Sequence, residues 1–155
     1  MSLSLKSILV PTDFSEHASD SILYAIELAQ KFGSSLTFLH VLQDAVALFP
    51  EPGVAFPASG TYLQGLQDAA ETGLTRLRES IPEGIPVTTE IRNGVPFVEI
   101  IRFAKEKPYD LIVIATHGRS GLAHVLLGSV AEKVVRKAPC PVLTVRPAGH
   151  EFSMP

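Results

Sequence analysis

The chain reads as an α/β protein, a single three-layer doubly wound domain on a five-stranded parallel sheet. Three observations predict it. Five apolar runs of strand length alternate with four stretches of helical periodicity, and such alternation calls for a parallel sheet covered on both faces. The run Leu111-Ile112-Val113-Ile114-Ala115 has no polar interruption, as suits a strand buried on both sides. Two of the periodic stretches start at capping serines, Ser15 and Ser129, and all stop at glycine or proline.

Lys6-Ser7-Ile8-Leu9-Val10-Pro11 is the first strand. Thr12-Asp13-Phe14-Ser15 turns the chain, and Ser15 is the N-cap of a helix with Glu16 in its first turn. Ala18, Ile22, Ala25, Ile26 and Ala29 recur at helical spacing until Gly33 closes the helix. The second strand is Ser35-Leu36-Thr37-Phe38-Leu39-His40-Val41-Leu42. Residues 43–60 then read as a long irregular loop, broken by Pro50, Pro52, Gly53, Pro57 and Gly60. A helix resumes near Tyr62, with Leu63, Leu66, Ala70, Leu74 and Leu77 on one face, and ends at Ile81-Pro82-Glu83-Gly84.

Val87, Thr89 and Ile91 alternate with polar residues, which predicts a half-exposed strand at a sheet edge. Asn93-Gly94 turns the chain, and Pro96 suits the first position of a helix that turns Val98, Ile101 and Ala104 inward. The central strand spans 110–116, and a glycine-bearing loop leads on to Gly128-Ser129. Ser129 is read as the N-cap of a helix running to Lys137. Pro139-Cys140-Pro141 halts it, and Val142-Leu143-Thr144-Val145 is the last strand. Residues 1–147 form the domain and 148–155 a frayed tail.

The 155 residues suit one domain with a real core, and 46% apolar against 19% charged residues excludes disorder as the overall state. A net charge of −3 with no basic run argues against nucleic acid and against acidic membrane surfaces. The lone Cys140 cannot form an internal disulfide, which fits a reducing, cytoplasmic setting, and between two prolines it reads as a small turn residue. Ile8-Leu9-Val10 is too short for a signal-peptide core or a membrane span. No histidine pair has metal-ligand spacing. His40 reads as a satisfied core residue, His17 and His124 as exposed, and His150 belongs to the tail. Gly118-Arg119-Ser120-Gly121 does not meet the G-x-S-x-G pattern of a hydrolase elbow.

In an open α/β sheet, ligands bind beyond the carboxyl ends of the strands where the strand order reverses. The common five-stranded doubly wound order is 2-1-3-4-5 or one of its relatives. Taking the order as 3-2-1-4-5, the reversal lies between the first strand, ending in Pro11-Thr12-Asp13, and the fourth, ending in Ala115-Thr116-His117-Gly118. Asp13 can bond a ribose hydroxyl or help hold a phosphate-bound Mg²⁺, or it can be a plain turn residue; pattern alone leaves both open. The unpaired amides at the start of the 129–137 helix, with its dipole behind them, can form an anion site on the other lip, or the loop before them can be purely structural; spacing alone leaves both open. No Lys follows Gly128 and no G-x-G-x-x-G occurs, so neither a Walker loop nor a dinucleotide fingerprint is present.

Ala115-Thr116-His117-Gly118, nine further residues and then Gly128-Ser129-Val130 resembles the ATP loop of the universal stress protein family, G-x-x-G-x(9)-G-[S/T]. The opening Ile8-Leu9-Val10-Pro11-Thr12-Asp13-Phe14-Ser15 is similar to that family's first strand and turn, and 139–145 to its last strand. The resemblance implies an ATP-binding regulatory module of stress response, of the ATP-binding branch. It implies a homodimer that pairs through the last strand, 142–145, and leaves room for a further protein partner. By the same likeness Pro11 and Val41 border adenine, and Asp13 meets the ribose and the metal. Gly118, Gly128, Ser129 and Val130 contact phosphate; Thr12 and Ile114 at the strand ends, with Thr116, His117 and Arg119 at or beside the motif, complete the set. The ligand is then ATP, or AMP or ADP, with Mg. Ala115 departs from the motif's first glycine, and on a strand end in extended conformation its methyl costs almost nothing. A slow ATPase on the same site and a dimeric interaction protein that binds no nucleotide are the rival readings.

Overall fold

The computed structural model describes residues 4–43, 60–118 and 127–147. Of the expected loop at 43–60 only Gln43 and Gly60 fall within these, and the expected tail at 148–155 lies outside them. The elements are β1 (Ser7–Pro11), α1 (Glu16–Phe32), β2 (Ser35–Leu42), α2 (Gly60–Ser80) and β3 (Val87–Asn93), then α3 (Pro96–Glu106), β4 (Leu111–Ala115), α4 (Ser129–Lys137) and β5 (Val142–Val145). All five strands are parallel in the order β3-β2-β1-β4-β5, as the sequence predicts.

Alternation of side chains along each strand divides the interior into two half-cores. Ile8 and Val10 of β1 join Leu36, Phe38 and Val113 beneath α1 and α2, where Ala25, Ala29 and Leu74 meet them. Leu9 joins Leu39, Ile112 and Ile114 on the opposite face, packed against Ile100, Phe103 and Ala104 of α3 and Ala131 and Val134 of α4. The fully buried residues of α1 are all small, Ala18, Ser21, Ala25 and Ala29, with Ile22 and Ile26 packing beside them against the core.

Helix ends mostly follow the sequence cues. Ser15 caps α1 by accepting the Ala18 N–H at 3.3 Å, and Gly33 closes it in the left-handed region at φ 68°. Two expectations need correction. The buried face of α3 is broader than Val98, Ile101 and Ala104: Glu99, Ile100, Ile101, Phe103 and Ala104 are buried and Val98 only half so. The cause is a helix wedged against both the sheet and α4, which buries a wider stripe than one facing surface does. Ser129 is not the N-cap of α4 either. Gly128 holds that place in extended conformation and Ser129 is the first helical residue. The Gly128 N–H donates to the Thr116 carbonyl at 2.6 Å, and its own carbonyl accepts from Glu132 N–H, which sets the start of the helix there. Among the described residues no helix is long and apolar enough to cross a membrane.

Candidate functional site

β1 pairs with β2 through Pro11 but with β4 only at Ile8 and Leu9. The two central strands therefore part toward their carboxyl ends, and the turn after β1 faces the loop after β4. On the α3/α4 side of this opening Pro11 and Ile114 are buried and Val41 is half-buried. Pro11 shares that face with Leu9, two residues earlier on the strand.

The turn after β1 is built by its own hydrogen bonds. Asp13 Oδ1 accepts the Ser15 N–H at 2.9 Å, and Thr12 Oγ1 accepts the Phe14 N–H at 3.1 Å. The Thr12 N–H donates to the Leu39 carbonyl, and the buried His40 donates from Nδ1 to the Thr12 carbonyl at 2.8 Å. His40 is thus the satisfied core histidine the sequence suggests. Asp13 is at once a turn residue through Oδ1 and a face of the opening through Oδ2. A Cβ placed on Gly118 would stand 2.8 Å from that second oxygen. A side chain at 118 would force that carboxylate oxygen to move.

The other lip is equally close-fitting. A Cβ on Gly128 would lie 2.7 Å from the Thr116 carbonyl oxygen and 3.7 Å from His117 Cα. Thr116 and His117 are buried and joined by a 2.9 Å hydrogen bond between Oγ1 and Nδ1. Thr116 is also tied to β5, its N–H donating to the Val145 carbonyl. Ser129 is exposed and Val130 half-buried at the start of α4. No described side chain caps this helix, so the first-turn amides face outward with the positive end of the dipole behind them. Asp13, Gly118, Thr116, His117 and Gly128 accordingly form one continuous wall. Arg119 lies outside the described residues.

Ala115 ends β4, paired with Val145, and the only non-glycine with positive φ among the described residues is Phe14. The methyl at the motif's first position therefore sits on ordinary extended backbone. Two residues beside the site escape a reading of the sequence. His17 is half-buried rather than exposed, and its ring centroid is 6.3 Å from that of His117. Phe14 holds φ 60° and packs on His40 at 4.5 Å. Only His17's place in the first turn of α1, beside the β1 turn, hints at the first of these. Cys140 is remote from the opening, and burial followed by the charge of Asp110 pushes its thiol pKa up. That agrees with an inert turn residue.

The Universal stress protein family profile matches residues 4–146. The chain belongs to the universal stress protein family. It is 36% identical over 145 residues to Universal stress protein MJ0531 of Methanocaldococcus jannaschii, covering 91% of this chain and 82% of that one. The solved universal stress protein MJ0577 of the same organism superposes with a TM-score of 0.82 at 27% identity, covering 94% of this chain and 99% of that one. Two more distant universal stress protein structures share the fold at 20% and 21% identity, with TM-scores of 0.64 and 0.58. Each spans 92% of this chain and 97% or 98% of the other, and they are complexes with cAMP and with dAMP, respectively.

Proposed function

We propose that this universal stress protein is an ATP-binding regulatory module of the cytoplasm, holding Mg·ATP across the carboxyl ends of β1 and β4. The observation that carries the reading is the meeting of its two lips. The Asp13 carboxylate and Gly118 approach so closely that a methyl would not fit between them, and the same loop delivers Gly128 and the uncapped amides of α4. A carboxylate on one side and outward backbone amides on the other suit a ligand that carries a sugar hydroxyl or a metal at one end and phosphates at the other. Two structures of this fold hold adenine nucleotides, which is in keeping with it.

In this reading Pro11, Thr12, Val41 and Ile114 border the base, and Asp13 bonds the ribose or the Mg²⁺. Thr116, His117, Gly118, Gly128, Ser129 and Val130 surround the phosphates, with Arg119 from the same loop. The metal supplies charge neutralisation between the phosphate oxygens. Binding, rather than turnover, is the activity: occupancy of the site reports nucleotide supply to a partner protein. The edge strand β5, with Leu143 partly exposed, pairs with a second copy.

The purified protein, denatured and examined by mass spectrometry, is expected to release an adenine nucleotide. Millimolar Mg·ATP is expected to raise the melting temperature of protein freed of ligand. Neither nucleotide nor shift would end this reading. Light scattering reporting a monomer at micromolar concentration would remove the dimer alone.

A further inference from the structure

The interior of α2 contains two glycines, Gly65 and Gly73, in a position where glycine weakens a helix. Their surroundings differ. A Cβ on Gly65 would meet nothing within 4 Å, whereas one on Gly73 would stand 2.9 Å from both Cε1 and Cζ of Phe14. Gly73 is thus a notch cut in the helix for one ring. The ring also lies against the His40 imidazole, 4.5 Å between centroids and 32° from parallel. Phe14 therefore touches both α2 and β2, while 37% of the residue stays exposed.

Phe14 also carries the unusual backbone. A bulky side chain at φ 60° is rare and costly, and it persists only where the surroundings over-determine it. Here the ring has neighbours on two elements, the Phe14 N–H is held by Thr12 Oγ1, and the Thr12 carbonyl is held by the same His40 that touches the ring. Asp13 lies between Thr12 and Phe14, so its backbone is pinned on both sides. Its Oδ1 is engaged by Ser15 N–H, and its Oδ2 faces Gly118.

We propose that Phe14 and Gly73 form a positioning wedge, through which α2 sets the direction of the Asp13 carboxylate in the nucleotide site. The wedge works from behind the site, on the α1/α2 side of the sheet, and neither residue touches the nucleotide. Its link to ligand rests on the nucleotide-binding reading above; its action on Asp13 does not.

Gly73→Ala in the full chain tests it, with Gly65→Ala as the control and Phe14→Ala as the second background. Amide spectra of the ligand-free protein report on Asp13 directly through Ser15 N–H, which its carboxylate accepts, and indirectly through the amide of Gly118, the residue that faces Oδ2. Gly73→Ala is expected to shift both amides, and Gly65→Ala to leave them in place. With Phe14→Ala already present, adding Gly73→Ala is expected to move them no further. Mg·ATP affinity is expected to fall about tenfold in Gly73→Ala and to stay unchanged in Gly65→Ala. Unmoved Ser15 and Gly118 amides in folded Gly73→Ala, or equal shifts in both backgrounds, overturn the wedge. Should Gly73→Ala fail to fold, Phe14→Leu gives the same amide read-out, and unmoved amides there overturn it too. A wild-type chain that binds no Mg·ATP sinks the nucleotide reading and leaves the amide test standing.

Discussion

Gly118 and Gly128 are small for two different reasons, and their substitutions separate ligand binding from folding. At Gly118 the neighbour is a terminal carboxylate oxygen of Asp13, 2.8 Å from where a methyl would stand, and such an atom can swing aside. Gly118→Ala should therefore keep its denaturation midpoint while titration with Mg·ATP shows about tenfold weaker binding, equivalent to about 1.4 kcal/mol. At Gly128 the neighbour is the Thr116 backbone carbonyl, which is also the acceptor of the Gly128 N–H and cannot retreat. From sequence, a side chain at 128 intrudes on phosphate space alone; in the fold, its first atom meets the chain itself. Gly128→Val should lose nucleotide binding and also about 1–3 kcal/mol of stability by urea denaturation. A variant that unfolds at the wild-type midpoint would contradict that collision.

At the scale of elements, the site depends on where two helices begin. α1 starts at Ser15, whose hydroxyl accepts the Ala18 N–H one residue beyond the Phe14 wedge. Ser15→Ala is expected to cost about 1 kcal/mol in chemical denaturation and Ser15→Asp close to nothing, since aspartate caps as well. The start of α4 is different in kind. Gly128 has no side chain with which to cap, so among the described residues no side chain takes the first-turn amides, and the helix is instead anchored through the Thr116 carbonyl. Placing the cap one residue later, at Ser129, follows from residue preference alone. It fails because the backbone bond to Thr116, a residue of the β4 loop, fixes the register of the helix.

For the whole molecule, one carboxylate closes the sheet at the end opposite the site. Asp110, just before β4, accepts Lys6 N–H at 2.7 Å, Ser7 N–H at 3.0 Å and the Ser7 hydroxyl at 3.3 Å, joining segments more than a hundred residues apart. Those two backbone bonds first, and then the Ser7 hydroxyl and the Lys6 charge, hold its carboxyl pKa below the ordinary value of 3.8. Because the folded-state pKa is the lower one, this contribution is complete above the unfolded value. It is lost as pH falls from there through the folded value. Asp110→Asn should lower the melting temperature at neutral pH and flatten the decline below about pH 4. A parallel decline in both proteins would remove Asp110 from the account of acid stability.

Much of this architecture is legible in the one-dimensional pattern. The apolar run at 111–115, the Ser15 and Gly33 caps and the last strand at 142–145 all stand where local chemistry puts them. They are decided within a few residues, by burial periodicity and by the needs of unpaired backbone groups. A two-sided parallel sheet requires a reversal of strand order, but which of the common orders is adopted, 3-2-1-4-5 here, is visible only in the fold. What local pattern could not decide were contacts between chain segments that meet only when folded. The width of the buried face of α3 depends on α4, the position of His17 on the loop after β4, and the need for glycine at 73 on a phenylalanine 59 positions earlier. Sequence by itself determined the elements along the chain and pointed to the two segments proposed as lips of the site; tertiary structure alone decided how closely those segments approach and what holds them, because steric exclusion acts across space and leaves no periodic trace along the chain.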